Sequence, residues 1–184
     1  MRLDQFSYVT FYDQVADTIQ GLASCLGSIF VYVGVHSRFG TRIFTLPEQN
    51  GLYIEVLDPL DRPATDVSPF SKAVTKSAAG SDGWLTGFVS VDDASKVEAR
   101  FGRQTVDGHR VNPDGRDISW KQIGVFATIE EKQLLFFIEW KSPGYPSTGG
   151  KAIAKIVNVE MVGDENGDHR LASYQPQDCV RKGG

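Results

Sequence analysis

Cysteine is scarce. Cys25 and Cys179 are the two in 184 residues, too few and too far apart for a disulfide framework or a zinc knuckle. Long apolar runs are missing as well: none approaches the roughly 20 residues a membrane helix needs. The opening "MRLDQFSYVT" has no apolar core ahead of a cleavage site, so no secretory leader is read there. A reducing, cytoplasmic home with no membrane partner is the expectation. Basic residues are not in excess. Lys and Arg number 19 against 23 Asp and Glu, a net charge of -4, which argues against a general nucleic-acid binder. A P-loop, a dinucleotide fingerprint and a Ser-His-Asp ordering are all absent, and "GLASCLG" lacks the strand-turn-helix setting of a nucleotide loop.

What is present is a repeated pattern of elements. Residues 3–10 alternate as a strand, with Phe6 and Tyr8 on one face and Leu3, Gln5, Ser7 and Val9 on the other. From about Tyr12, the residues Val15, Ile19, Leu22 and Leu26 recur at helical spacing, and Gly27 is a natural stop. Cys25, among apolar neighbours near that stop, is expected to be buried. Three β-rich runs follow, "SIFVYVGV", "TRIFTLPE" and "GLYIEVLD", the last two joined by Asn50-Gly51, a signal for a two-residue hairpin loop. Residues 59–83 read as a linker with one short helix, capped by Ser68 and started by Pro69. Then the order returns: "GWLTGFVSV", the helix "DDASKVEARFG", "RQTVDGHRV", "DISWKQIGVFA" and "LLFFIEWK". Residues 1–58 and 84–141 are therefore two β-α-β-β-β modules of a duplication. A C-terminal extension, 142–184, carries one more strand, "AIAKIVNVEMV", and an irregular tail. The fold class expected is α+β: two paired modules forming a curled, cup-shaped mixed sheet with helices outside. Pairing within one chain or across a homodimer buries the same strand faces, so the sequence allows both.

Each module ends on an apolar strand holding one acid, Glu55 or Glu139. A two-residue loop at Asn50-Gly51 would set Leu46 opposite Glu55 and Phe44 opposite Leu57, with Arg42 further along the same face as Tyr53 and Glu55. In the second module Phe137 shares a face with Glu139. An ionised carboxylate left unpaired among apolar side chains costs several kcal/mol. Two acids at matching places in a duplication would converge on one cavity if the halves face each other, and that is how a metal or polar-ligand site is built. His36, Arg38 and Arg42, with His109, Arg110 and Arg116 in the comparable stretch of the second half, could form a basic rim for an anionic ligand; a solvated loop explains them too. Lys121 could face the cup or solvent.

The stretches "VHSRFGTRIFTLPEQNGLYIEVLDPLDRPA", "GWLTGFVSVDD" and "WKQIGV" resemble the bacterial glyoxalase-like domain proteins of the vicinal oxygen chelate superfamily, over about residues 1–141. That resemblance implies a small-molecule enzyme of lyase or isomerase type, assisted by a divalent metal in many members. Their four ligands lie on the first and last strands of each module. Carried onto this chain, these positions are Gln5, Glu55, Leu85 and Glu139, and leucine cannot bind a metal. Three oxygen donors without imidazole favour Mg or Mn over Zn. On this reading Glu55 and Glu139 are the catalytic acids, and Ser7, Tyr53, Phe137, His36, Arg38 and Arg42 contact the substrate. A metal-free protein that binds or sequesters a small molecule is the alternative, and a scaffold whose cup is filled by its own side chains is a third.

Overall fold

The computed structural model describes residues 1–11, 13–49, 51–60, 63, 67–124, 135–143 and 152–158. Its first half runs β1 (Arg2–Val9), α1 (Val15–Leu26), β2 (Val31–His36), β3 (Thr41–Pro47) and β4 (Tyr53–Pro59). After helix α2 (Pro69–Gly80), the second half repeats the order: β5 (Gly83–Ser90), α3 (Ala94–Phe101), β6 (Thr105–Val111), β7 (Asp117–Ile123) and β8 (Phe136–Trp140). Within each half the first strand pairs in parallel with the last, and the remaining strands run antiparallel. The halves join edge to edge, β1 against β5 and β2 against β6. The eight strands thus close a barrel within one chain, in the order β1-β4-β3-β2-β6-β7-β8-β5.

Both halves turn one strand face inward. Val9, Ile43 and Leu57 meet Leu85, Phe88, Ile118, Phe136 and Ile138 in a single cluster, and α2 adds Phe70, Val74 and Ala78 to it. Each Val, Leu, Ile or Phe among them contributes about 1.5–3 kcal/mol by leaving water. Ser68 starts α2, its hydroxyl accepting the Ser71 backbone N–H at 3.2 Å, with Pro69 at the first helical position. The outer faces are covered separately. Helix α1 lays Val15, Ile19, Leu22 and Leu26 on Leu46, Ile54 and Val56, and α3 lays Ala94 and Val97 on Ile123 and Phe137. Gly27 and Gly102 end these helices in the left-handed conformation, φ 63° and 62°. Helix α1 contains no fully buried residue, so Cys25 is exposed, contrary to the expectation.

The β3–β4 hairpin corrects the expected register. Pro47 faces Tyr53 and Thr45 faces Glu55, one residue off the pairing that a two-residue loop would impose. The Glu48 N–H donates to the Leu52 carbonyl at 2.8 Å and the Gly51 N–H to the Glu48 carbonyl at 3.2 Å, with Gly51 at φ 76°. This is a three-residue loop closed by a left-handed glycine. Because strand side chains alternate, the slip sends Arg42, Phe44 and Leu46 to the outer face and Ile43 and Thr45 inward. At the β2–β6 seam the register holds one pair, Val35 opposite Val111. Gly34 is required there: at φ 119°, a Cβ would lie 2.8 Å from the Val111 carbonyl oxygen.

Residues 152–158, the start of the expected ninth strand, belong to neither strand nor helix. They dock on the hairpin, where the Gln49 backbone N–H donates to the Ala154 carbonyl at 2.9 Å and its Nε2 to that of Ile153 at 2.7 Å. The rest of that stretch, the irregular tail and Cys179 lie outside the described residues. Among the described residues no helix is long and apolar enough to cross a membrane.

Candidate functional site

Strand β4 points Tyr53 and Glu55 into the barrel, and the parallel register of β1 sets Gln5 beside Tyr53 and Ser7 beside Glu55. Glu55 is 4% exposed. The Ser7 hydroxyl donates to Glu55 Oε1, and the Gln5 side chain adds a second hydrogen bond. Burial pushes the Glu55 carboxyl up to about 7. The Ser7 bond, the positive Arg110 and the Gln5 bond pull it down from a still higher value, and Asp4 pushes it up. Near neutral pH both the protonated and the ionised form of this carboxyl are therefore populated.

The facing wall comes from the other half. Arg110 on β6 is 3% exposed and donates through Nη1 to the Val33 carbonyl at 3.5 Å across the seam. Burial lowers its pKa, while Tyr53 and Glu55 raise it. His36, at the end of β2, lies against the Trp120 ring with its Nδ1 3.2 Å from Thr41 Oγ1. Burial first, then Arg110, holds its imidazole well below the usual range, so it is neutral. Burial, then Glu55 and Asp4, raises the Tyr53 phenol. Arg110 and Glu55 are thus the cup's two charge carriers among the described residues.

Between these walls lies a cavity of about 20 Å³, measured as the space open to a water's centre, enough for one water. Its lining carries three buried polar atoms with no hydrogen-bond partner: Gln5 Oε1, Thr45 Oγ1 and Gln122 Nε2. The Trp120 indole N–H donates to Gln122 Oε1 at 3.1 Å, which orients that amide and leaves its Nε2–H groups bare. Buried polar atoms of this kind are normally satisfied, by water or by a ligand.

Several sequence candidates lie elsewhere. The β7–β8 register pairs Gln122 with Ile138 and Lys121 with Glu139, so Gln122 and Ile138 face the cup while Glu139 faces out. There Glu139 accepts the Ala94 N–H at 3.0 Å, at the start of α3, and pairs with Lys141. Burial raises its carboxyl, but these two hydrogen bonds outweigh it and hold it below the ordinary value. Phe137 is outward too, stacked on Phe101 at 5.6 Å. Both acids in one cavity is thus an expectation the structure does not meet. Arg42 lies outside, bidentate to the buried Asp58 at 3.0 and 2.8 Å. Arg38 is exposed and donates to the Asp107 carbonyl at 2.9 Å. Leu85 is a member of the interior cluster. Gln5, Tyr53, Glu55 and His36 line the cavity, and Ser7 meets it through Glu55. Sequence reasoning had placed Arg110 on an outer rim and left Trp120 and Gln122 unassigned. The alternation "WKQ" was the usable signal: once Lys121 is sent to solvent, Trp120 and Gln122 must turn inward.

A divalent cation does not fit this donor set. Of the four positions the resemblance implied, Leu85 has no donor and Glu139 faces the wrong side, leaving Gln5 and Glu55. Arg110 then acts on Glu55 with a positive charge of its own. Among the described residues no cluster of three or more His, Cys, Asp or Glu side chains could hold a metal.

Comparison with known proteins agrees with this fold. A family model described as a glyoxalase-like domain matches residues 8–175. The sequence finds no match among curated proteins. Among solved structures, methylmalonyl-CoA epimerase from Mycobacterium tuberculosis aligns at a TM-score of 0.52 with 20% identity, over 75% of this chain and 87% of the other. A methylmalonyl-CoA epimerase variant from Streptomyces coelicolor, in complex with 2-nitronate-propionyl-CoA, aligns at 0.52 with 15% identity, over 77% and 99%. A hypothetical protein from Staphylococcus aureus aligns at 0.54 with 15% identity over 77% of this chain; the match spans 59% of that longer chain. At these identities the likeness is one of fold.

Proposed function

The chain belongs to the glyoxalase-like domain family, and from that premise we propose that it is a small-molecule enzyme whose reaction is a proton transfer carried by Glu55. The observation that supports this most is a carboxyl enclosed in the cup with its pKa at about 7, where a general base and its conjugate acid are both available. Ser7 fixes the carboxyl's orientation by its hydrogen bond. The substrate is a carbon acid, a compound with a C–H next to a carbonyl. Glu55 removes that proton, the C–H electron pair moves into an enolate whose oxygen takes the negative charge, and the same carboxyl returns the proton. The bare Gln122 N–H and Thr45 hydroxyl are donors for that oxygen. Tyr53 and the rings of Trp120 and Trp140 form the walls beside it. Residues 1–58 and 84–141 act on this reading as one unit.

The test is exchange. Small carbonyl compounds are incubated with the protein in D2O and their C–H signals followed by NMR. Exchange by the wild type, reduced at least a hundredfold in Glu55→Gln, is expected; equal exchange by both proteins refutes the role of Glu55. The small cavity favours one other reading, a binder that holds its ligand without changing it, for which the same experiment shows ligand binding and no exchange.

A further inference from the structure

Two side-chain amides border the cavity, and each is tied at its far end. Gln5 gives its N–H to the Glu55 carboxylate, which leaves its Oε1, an acceptor, bare. Gln122 takes the Trp120 indole N–H on Oε1 at 3.1 Å, which leaves its Nε2, a donor, bare. Neither amide turns round freely. A turned Gln5 would set its carbonyl oxygen against an ionised carboxylate, and a turned Gln122 would set one N–H against another. The third orphaned atom, Thr45 Oγ1, gives or takes a hydrogen bond. All three residues are buried. One small space therefore meets a fixed acceptor, a fixed donor and a hydroxyl that adapts to either.

We infer that the resting cup holds one fixed water, and that this water keeps the place of the substrate's reacting oxygen. A water donates to Gln5 Oε1, accepts from Gln122 Nε2 and makes a third bond with the Thr45 hydroxyl, and about three bonds is what a buried water makes. Other occupants of that size fit worse. A monovalent cation would be met by the Gln122 N–H, and a halide by the Gln5 carbonyl oxygen. Each of those needs partners of one kind, and the site offers both kinds. The second part follows from volume. A space of about 20 Å³ takes one oxygen. The oxygen that gains charge during proton transfer uses the same two donors, so it enters only as the water leaves. Gln5, which holds the water, also steadies Glu55, and this keeps the place beside the base. The second part rests on the proton-transfer reading; the water site itself does not.

Oxygen-17 relaxation dispersion counts the waters a protein holds for longer than it tumbles. It is run on the full chain as wild type and as Gln122→Met, which keeps the side chain's bulk and removes the donor. The wild type should hold one such water more than the variant, and NMR should show a through-space contact between long-lived water and the Gln122 side-chain amide. Gln122→Met should also slow C–H exchange on small ketones and aldehydes at least tenfold. Should that variant not fold, Thr45→Val replaces it in both measurements. A wild type with no long-lived water at the Gln122 amide, or equal counts in both proteins, overturns the water site. A water lost with exchange undiminished overturns the shared place. Failure here is separable from failure of the proton-transfer reading. A fixed water in a wild type that exchanges no C–H sinks the enzyme and the shared place but not the water site, and exchange without a fixed water sinks only the present inference.

Discussion

Replacing Glu55 by Gln should make the protein more stable at alkaline pH and leave it unchanged in acid. The folded carboxyl titrates at about 7 against an ordinary value of 4.5. Below 4.5 the carboxyl is protonated in both states and contributes no difference. Between the two values the native state holds a proton that the unfolded chain has released, so stability falls as pH rises. Above 7 the penalty is complete, at 1.36 kcal/mol per pH unit about 3 kcal/mol. Glutamine keeps an oxygen for the Ser7 hydroxyl and never ionises, so it escapes the penalty. For a chain of this length each kcal/mol moves the melting temperature by about 2–4 °C, which gives a gain of roughly 6–12 °C at pH 8 and none near pH 4. Calorimetric melts of both proteins across that range measure it. Asp58 and Glu48 are also raised by burial, but they are common to both proteins and cancel in the difference. A difference curve that is flat with pH would refute the placement of Glu55 in a closed, low-dielectric cup.

Other outcomes follow from the same geometry. Glu139→Ala removes an acceptor from the first turn of α3 and should cost about 1 kcal/mol in denaturant melts while leaving C–H exchange unchanged, since the side chain is outside the cup. Arg42→Met strands the buried Asp58 carboxylate and should destabilise by about 3–5 kcal/mol, again with no effect on C–H exchange. Gly108→Ala would set a Cβ 2.0 Å from the Trp120 ring; displacing that indole should cost about 1–3 kcal/mol and shift tryptophan fluorescence. Dialysis against Mg, Mn or Zn followed by mass spectrometry should find no stoichiometric metal, and one equivalent lost in Glu55→Ala would contradict the donor set described.

The order of elements was legible because it depends on local signals: Gly27 and Gly102 stop their helices, Ser68-Pro69 starts one, and apolar alternation marks the strands. Glu55 was found because a single carboxylate stands out in "LYIEVL", and period two correctly put Tyr53 with it. Which face of β8 turns inward could not be read. Phe136, Phe137 and Ile138 are all buried, one face against the barrel interior and the other against α3, so the alternation holds no contrast. The hairpin failed for another reason. Asn50-Gly51 fits both a two-residue and a three-residue loop, and the choice moves Arg42, Phe44 and Leu46 through the sheet together. Arg110 was hidden because its depth comes from the β2–β6 seam, a contact between residues 76 apart in the chain (Val35 with Val111).

The duplication has left the two halves with one architecture and opposite contributions. The first half turns its strand acid inward, where Ser7 and Gln5 steady it. The second turns the matching acid outward, where it holds the start of a helix, and gives the cup a cation and an amide donor instead. Glu55 and Arg110 therefore meet only when the barrel closes, and each bears on the other's ionisation there. In a lone half the inner sheet face would be open to water, and neither group would be buried or meet the other. The same two contacts that close the fold, β1 with β5 and β2 with β6, thus assemble the site, and barrel closure and site chemistry are one event.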